Sequence, residues 1–416
     1  MSENAHRVLQ RNRQPGGYTV PAEGLYPYQW CWDSGPIALG WAAAGDWDQA
    51  WTELERLMSA QWESGLVPHI VFWEVSDDYF PGPEDWGTTH DPPTTGITQP
   101  PLPVTAAVRL YQQDSDRARA KKRFEALWPK LVAWIEWLDR ARRGPHGAIV
   151  VVHPWESGMD NAPTWDDPLG RVPAIDELPL ARRDLESVAA SQRPSNEEYR
   201  RYMAIVEALR DHGWNTERQA EDGPFAVEDV AFTAITGRAA SDLAAIAPEA
   251  GKDASELEAI ATRSRAGIAA LWDDEMEWFR PYDVRGEQLV GPATATGVLA
   301  MWANAATPAQ AHAIAIRLGE WSEGLRYGVP TCDPEHHLFE PERYWRGPVW
   351  VIVNWLVAEG LSQYGFDGHA AEIRDMTWQL VAAAGDSEYY DPRTGEGIGG
   401  HGFSWSAALT LAWLAA

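Results

Sequence analysis

Residues 35–58 read GPIALGWAAAGDWDQAWTELERLM, and the pattern changes in the middle. Up to Ala44 the residues are apolar or small on every side of a helix. After Gly45, Trp47, Ala50, Trp51, Leu54, Leu57 and Met58 recur at three- and four-residue spacing and form a single stripe, with polar residues between them. Asp46 and Gln49 stand like a capping box at the start of this second helix. A helix that is apolar all round must be buried on both sides, and a striped helix must cover something from outside. The quoted stretch therefore predicts an inner helix, a short turn and an outer helix.

Working outward, the alternation recurs along the chain. Residues 104–111, 225–235, 293–302, 349–361 and 403–414 are also largely apolar or small. Leu127, Leu131, Trp134 and Leu138 form one further stripe, Leu257, Ile260, Ile268 and Leu271 another, and Thr307 with Pro308 supplies the N-cap and first turn of a third outer helix. Residues 2–13 complete the outer set if 197–212 is counted as an insertion. Almost no run alternates with period two, so few strands are expected. Six inner and six outer helices predict an all-α (α/α)6 barrel: one catalytic domain over 1–416, with an inserted helical segment at about 167–224 covering one face. Inner-to-outer connections are short. The outer-to-inner connections, 14–33, 63–100, 143–224, 273–292, 325–344 and 386–402, are long and should gather on one rim, where function is expected.

Composition narrows the function. The 416 residues are 45% hydrophobic, enough for a full core, and carry 61 acidic against 34 basic side chains, a net charge of -27. Such a charge repels nucleic acid and anionic membranes. The opening MSENAHRVLQRNRQPGG lacks an apolar signal core, and no later stretch has the roughly 18 apolar residues of a membrane span. Cys31 and Cys332 form no disulfide framework or metal spacing, which fits a reducing cytoplasm. The outer helices offer surface for a homo-oligomer, without a particular patch to name. Tryptophan is abundant, 24 residues, many in Gly- and Pro-rich loops where an aromatic face suits a sugar ring as well as it suits a core.

Two loop segments carry candidate acid–base chemistry. HPWESGMDNAPTW at 153–165 sets Glu156 and Asp160 among Trp155, Met159 and Trp165. A carboxyl group held in apolar surroundings has a raised pKa and stays protonated, as a general acid requires, although Asp before Asn also caps turns. SEYYDPRTGEGIGG at 387–400 places Glu388 beside two tyrosines as a candidate base, with Glu396 as its rival. The glycines 395, 397 and 400 match a GxGxxG pattern, but no strand precedes them and no acid follows at the right distance, so a dinucleotide site is excluded. YPYQWCWDS at 26–34 brings Tyr26, Trp30, Trp32 and Asp33 to the start of the first inner helix, where Asp33 or Ser34 could cap it or Trp32 and Asp33 could hold a sugar. Tyr344, Trp345 and Arg346 stand in the same way before another inner helix. Histidines 69, 90, 153, 336, 337 and 401 are scattered without a metal-ligand spacing, so neither metal nor cofactor is expected. No G-x-S-x-G elbow appears.

The blocks YPYQWCWDSGP (26–36), GLVPH (65–69), TTGITQPP (94–101), HPWESGMDNAPTWD (153–166), YWRGPVWVIVNWL (344–356), EYYDPRTGEG (388–397) and FSWSAAL (403–409) resemble glycoside hydrolase family 63, within it the bacterial glucosylglycerate and mannosylglycerate hydrolases. The resemblance implies the same barrel and hydrolysis with inversion. By motif it puts the general acid at Asp160 and the base at Glu388, and it demotes Glu396. Trp155, Gln99 in TTGITQPP and Trp405 in FSWSAAL are further candidate substrate contacts. A glycerate carboxylate inside so acidic a chain needs a planar cation, and Arg193 in the insertion, with Tyr199 after it, is the candidate. Glucosylglycerate, split into glucose and glycerate, is the expected substrate. A neutral gluco-disaccharide is the alternative, and a sugar epimerase or a carbohydrate-binding protein on the same barrel is more remote.

Overall fold

The computed structural model describes residues 1–74, 79–176, 182, 185 and 188–415. In chain order its main helices are α1 (Ser2–Asn12), α2 (Cys31–Ala43), α3 (Trp47–Ser59), α4 (Leu102–Gln113), α5 (Arg117–Ala141), α6 (Asn196–Asp211) and α7 (Val230–Ile246). They continue with α8 (Ser255–Ala269), α9 (Ala295–Trp302), α10 (Pro308–Glu323), α11 (Val351–Gln363), α12 (Asp367–Ala384) and α13 (Ser404–Leu409), the last running into a π-helical turn, Thr410–Leu414. Helix α2 packs on α4, α4 on α7, α7 on α9, α9 on α11, α11 on α13, and α13 returns to α2. That closed ring of inner helices, covered by α1, α3, α5, α8, α10 and α12, is the (α/α)6 barrel. Helix α6 lies in the insertion, of which residues 177–181, 183, 184, 186 and 187 fall outside the described residues.

Burial follows the pattern of the sequence. Every residue of α9 is buried, whereas α3 buries one face, including Ala50, Trp51, Leu54, Leu57 and Met58. Caps fix where the outer helices begin. Thr307 and Gln310 form a complete capping box at α10. The box expected at α3 is only half made: Asp46 accepts from the Gln49 N–H at 3.1 Å, but the Gln49 amide turns away to the Gly17 carbonyl at 3.0 Å.

Two further expectations are corrected. The inner helix expected over 225–235 starts at Val230, where Asp229 caps it, and runs on to Ile246. Val227–Glu228 is instead a strand between Val150–Val151 and Tyr282–Asp283. Asp33 and Ser34 do not cap α2, because Trp30 is the N-cap residue and Asp33 lies in the first turn. Short strand pairs order the long loops at the rim: Gln29–Trp30 with Ile70–Val71 joins two of them, and Ser387–Tyr390 with Gly397–His401 forms a hairpin within one. Strands of two to five residues are too brief to show alternation, which is why they were not legible in sequence.

Candidate active site

A cavity opens at the rim, and five of the six long loops, all but 273–292, contribute to its lining. Of the fourteen residues proposed from sequence, thirteen meet there: Tyr26, Trp30, Trp32, Asp33, Gln99, Trp155, Asp160, Arg193, Tyr199, Tyr344, Trp345, Glu388 and Trp405. Arg346 does not. Its guanidinium turns from the cavity to grip Asp166 at 2.7 and 2.8 Å and Glu340 at 2.8 Å, with a further bond to the Asn161 carbonyl at 3.3 Å. A five-donor fork meeting two carboxylates is well satisfied there, so Arg346 stands outside the lining and braces the loop carrying Asp160.

The two carboxylates of the 153–166 loop have different surroundings. Glu156 is fully buried, paired with Arg142 at 2.8 and 3.0 Å, and accepts the N–H groups of Thr98 and Val152. All of its acceptor capacity is taken by structure. Asp160 faces the cavity, and burial raises its carboxyl from 3.8 to about 7 against the opposing charge of Arg193 and a hydrogen bond from Tyr344, with Glu388 adding to the rise. Its backbone is held by the Tyr202 hydroxyl of α6, which donates to the Asp160 carbonyl at 2.9 Å, and by Asn161, whose side chain accepts from the Trp345 N–H at 3.0 Å. Gly158, at φ 72°, has room only because it lacks a side chain: a Cβ would stand 2.8 Å from the Trp32 ring. His153 is structural. Its Nδ1 accepts from Trp155 N–H at 3.0 Å, which leaves Nε2–H to donate to the Tyr202 carbonyl at 3.1 Å, and burial lowers its pKa to about 3.

Glu388 sits on the strand Ser387–Tyr390, in a hairpin where the sequence suggested a loop. One glycine of the pattern that resembled a dinucleotide motif, Gly400, serves this carboxylate instead, together with its neighbour Gly399. The pairing strand bulges between Ile398 and His401. There Gly399 adopts φ 75°, a Cβ on it would lie 2.3 Å from Glu388 Oε2, and the Gly400 N–H donates to that oxygen at 2.8 Å. Arg193 pairs with Glu388 through Nη2 at 2.7 Å and Nη1 at 3.2 Å, and Nη1 also donates to the Tyr26 hydroxyl at 2.9 Å. Its guanidinium lies 4.6 Å from the Tyr344 ring. Tyr344 holds φ 42°, a conformation costing a non-glycine residue on the order of 1–3 kcal/mol, of the kind found where side chains are aimed at function.

The remaining lining is set by α2 and its neighbours. Asp33 is 4% exposed, and burial, followed by the charges of Glu388, Glu53 and Asp160, holds its carboxyl well above the usual range. Gln99 accepts the Trp32 N–H at 3.2 Å. Trp32 and Trp405 meet edge to face at 5.7 Å, and Trp345 stacks on Trp350 at 3.6 Å. Sequence reasoning missed His69, Tyr79, Phe80, Trp86 and Phe403. The signal for His69 was present in GLVPH: the next residue, Ile70, pairs in register with Trp30, and the Cys31 N–H donates to the His69 carbonyl at 2.9 Å. Burial keeps this imidazole neutral, well below its usual pKa, stacked 6.3 Å from Trp155.

Residues 26–406 match the family model of the mannosylglycerate hydrolase MGH1-like glycoside hydrolase domain. The chain is a glycoside hydrolase of family 63. This hydrolase is 46% identical to a mannosylglycerate hydrolase of Thermus thermophilus over 98% of its own chain and 99% of that protein. It is 34% identical to a glucosylglycerate hydrolase of Mycolicibacterium hassiacum, over 98% and 96%. It superposes with a TM-score of 0.95, at 46% identity and covering 99% of both chains, on the crystal structure of the family-63 mannosylglycerate hydrolase from Thermus thermophilus in complex with Tris and D-glycerate. No helix among its described residues is long and apolar enough to cross a membrane.

Proposed function

We propose that this family-63 hydrolase cleaves a glycosylglycerate to free sugar and glycerate with inversion, Asp160 acting as general acid and Glu388 as general base. The observation that carries this reading is one cavity lined by Asp160, its pKa raised to about 7, by Glu388 and by a guanidinium from the insertion that pairs with Glu388. A group with that pKa keeps its proton below pH ~7, is still about half protonated at neutrality, and can deliver the proton to the glycosidic oxygen as the bond breaks. A water deprotonated by Glu388 attacks the anomeric carbon from the opposite face, which requires the two carboxyl groups to stand roughly 6.5–9.5 Å apart. Trp32, Trp345 and Trp405 offer faces for the sugar, Asp33 and Gln99 polar contacts for its hydroxyls, and Arg193 with Tyr199 a cationic end for the glycerate carboxylate.

Mannosylglycerate is the substrate the 46%-identical relative supports, and the 34%-identical glucosylglycerate hydrolase keeps glucosylglycerate, the substrate expected from sequence, as a second reading. The segment 167–224 serves as a cover for the site, a role supported by Arg193, Pro194 and Tyr199 in the lining. Two buried free cysteines support a reducing, cytoplasmic setting. The test follows the anomeric proton of the sugar released from α-mannosylglycerate and α-glucosylglycerate by NMR, with Asp160→Ala and Glu388→Ala as controls. Early β-anomer from wild type alone is expected. Early α-anomer refutes inversion, and turnover of neutral α-glycosides without either glycerate compound refutes the substrate.

A further inference from the structure

Glu388 is fully engaged. Oε1 accepts from the Tyr26 hydroxyl at 2.9 Å and Arg193 Nη1 at 3.2 Å, and Oε2 from Arg193 Nη2 at 2.7 Å and the Gly400 N–H at 2.8 Å. A carboxylate has about four acceptor positions, so these four donors fill it. A general base must itself accept a hydrogen bond from the water it activates. One partner has to leave before Glu388 can act.

The partners differ in how readily they leave. Gly400 is backbone in the hairpin. Tyr26 is wedged edge to face between Trp30 at 5.3 Å and Phe403 at 5.9 Å. Arg193 comes from the insertion, just before the capped start of α6, and only one edge of its fork is on Glu388. It is 2% exposed, and its Nε–H is buried without an acceptor among the described residues. That unsatisfied donor and the neighbouring Nη2 form the side-on edge that matches a second carboxylate. The tyrosine rings around the guanidinium, Tyr344 at 4.6 Å, Tyr389 at 5.9 Å and Tyr26 at 6.0 Å, can hold its charge through a small displacement.

We infer that Arg193 caps the base until the substrate's own carboxylate draws it away, so that the aglycone switches on the residue that activates water. This rests on the proposed function. The glycerate carboxylate takes the Nε–Nη2 edge and draws the whole guanidinium toward itself, the other Nη2 N–H thereby leaves Glu388 Oε2, and the released lone pair accepts from water. The water O–H bond then breaks toward Glu388, its oxygen bonds to the anomeric carbon, and the glycosidic bond breaks with the Asp160 proton passing to glycerate oxygen. A neutral glycoside can fill the sugar part of the cavity but leaves the base capped. Arg193 is thus a positioning and specificity-determining residue in addition to an anchor.

Glycosyl fluorides isolate the base, because fluoride departs with little need of an acid and brings no carboxylate. The experiment measures fluoride release from α-mannosyl and α-glucosyl fluoride, with and without D-glycerate, by wild type, Arg193→Ala and Arg193→Lys. Glycerate should speed wild type on the order of tenfold, a fraction of the 10²–10⁴ that a positioned base contributes in full. Arg193→Ala should exceed wild type without glycerate, ignore added glycerate, and show a raised KM for glycosylglycerate. Glycerate that leaves the wild-type rate unchanged or lowers it overturns the inference, as does an Arg193→Ala protein that is folded yet slower on fluoride. The glycerate arm needs only wild type, so it stands if a variant does not fold. Wild type that turns over a glycosylglycerate but ignores glycerate on fluoride removes this inference alone. Failure to turn over either glycosylglycerate removes the proposed function with it.

Discussion

Asp160 and Glu156 lie four residues apart in one loop, and their partners separate them. Glu156 meets Arg142 and two backbone N–H groups, whereas Asp160 meets a cavity wall that cannot repay the lost hydration of its charge. The free enzyme must hold Asp160 protonated, so kcat/KM should fall as pH rises through about 7. Asp160→Asn should abolish that limb and lower kcat by about 10²–10⁴, checked by pH–rate profiles of both proteins. The same group sets a stability trend. Its folded pKa is raised from 3.8 to about 7, so the stability its protonated form provides is complete below the lower value and lost as pH climbs through the upper one. Thermal unfolding of Asp160→Asn and wild type should therefore differ least near pH ~4 and most near pH ~8, the variant melting higher. A constant gap across that range would show that Asp160 is not held protonated by the fold. At this scale the motif was legible, but the division of labour between two acids in one loop was not, because Arg142 arrives from α5.

At the scale of elements, α5 ends on that arginine. Arg142 is the C-cap residue of α5, and its pair with Glu156 fastens the barrel wall to the loop bearing Asp160. Arg142→Met leaves a buried carboxylate without its cation, and should lower the unfolding free energy by about 3–5 kcal/mol, read from urea melts. A loss below about 1 kcal/mol would mean that Glu156 finds another donor or a proton. The hairpin that carries Glu388 shows the converse problem of reading. Its glycines were visible, yet the bulge they form is a pairing property of two strands too short to leave a periodic trace. Arg346 stands outside the lining for a related reason: YWRGP announces a residue at the start of an inner helix, but its bidentate partner, Asp166, comes from a distant loop.

The whole molecule carries a charge of -27, and an anionic substrate must approach it. Raising ionic strength from about 0.01 M to about 0.15 M shortens the screening length from roughly 30 Å to roughly 8 Å. In that range kcat/KM for a glycosylglycerate should rise, while that for a neutral glycosyl fluoride stays level; a fall for the anion would show that the local field of Arg193 outweighs the net charge. The barrel itself was determined by sequence, because burial on one side or on both writes a period into each helix, and the count of such helices leaves little choice of architecture. The candidate acid, base and aromatic walls were legible for a different reason, since each falls in a distinctive block on a long loop or at the start of an inner helix. Tertiary structure alone decided which side chains face each other. The pairing of Arg193 with Glu388, the neutral His69 in the wall and the bracing by Arg346 join residues of distant loops. Such contacts depend on the closure of the ring, and no local pattern encodes the partner across it.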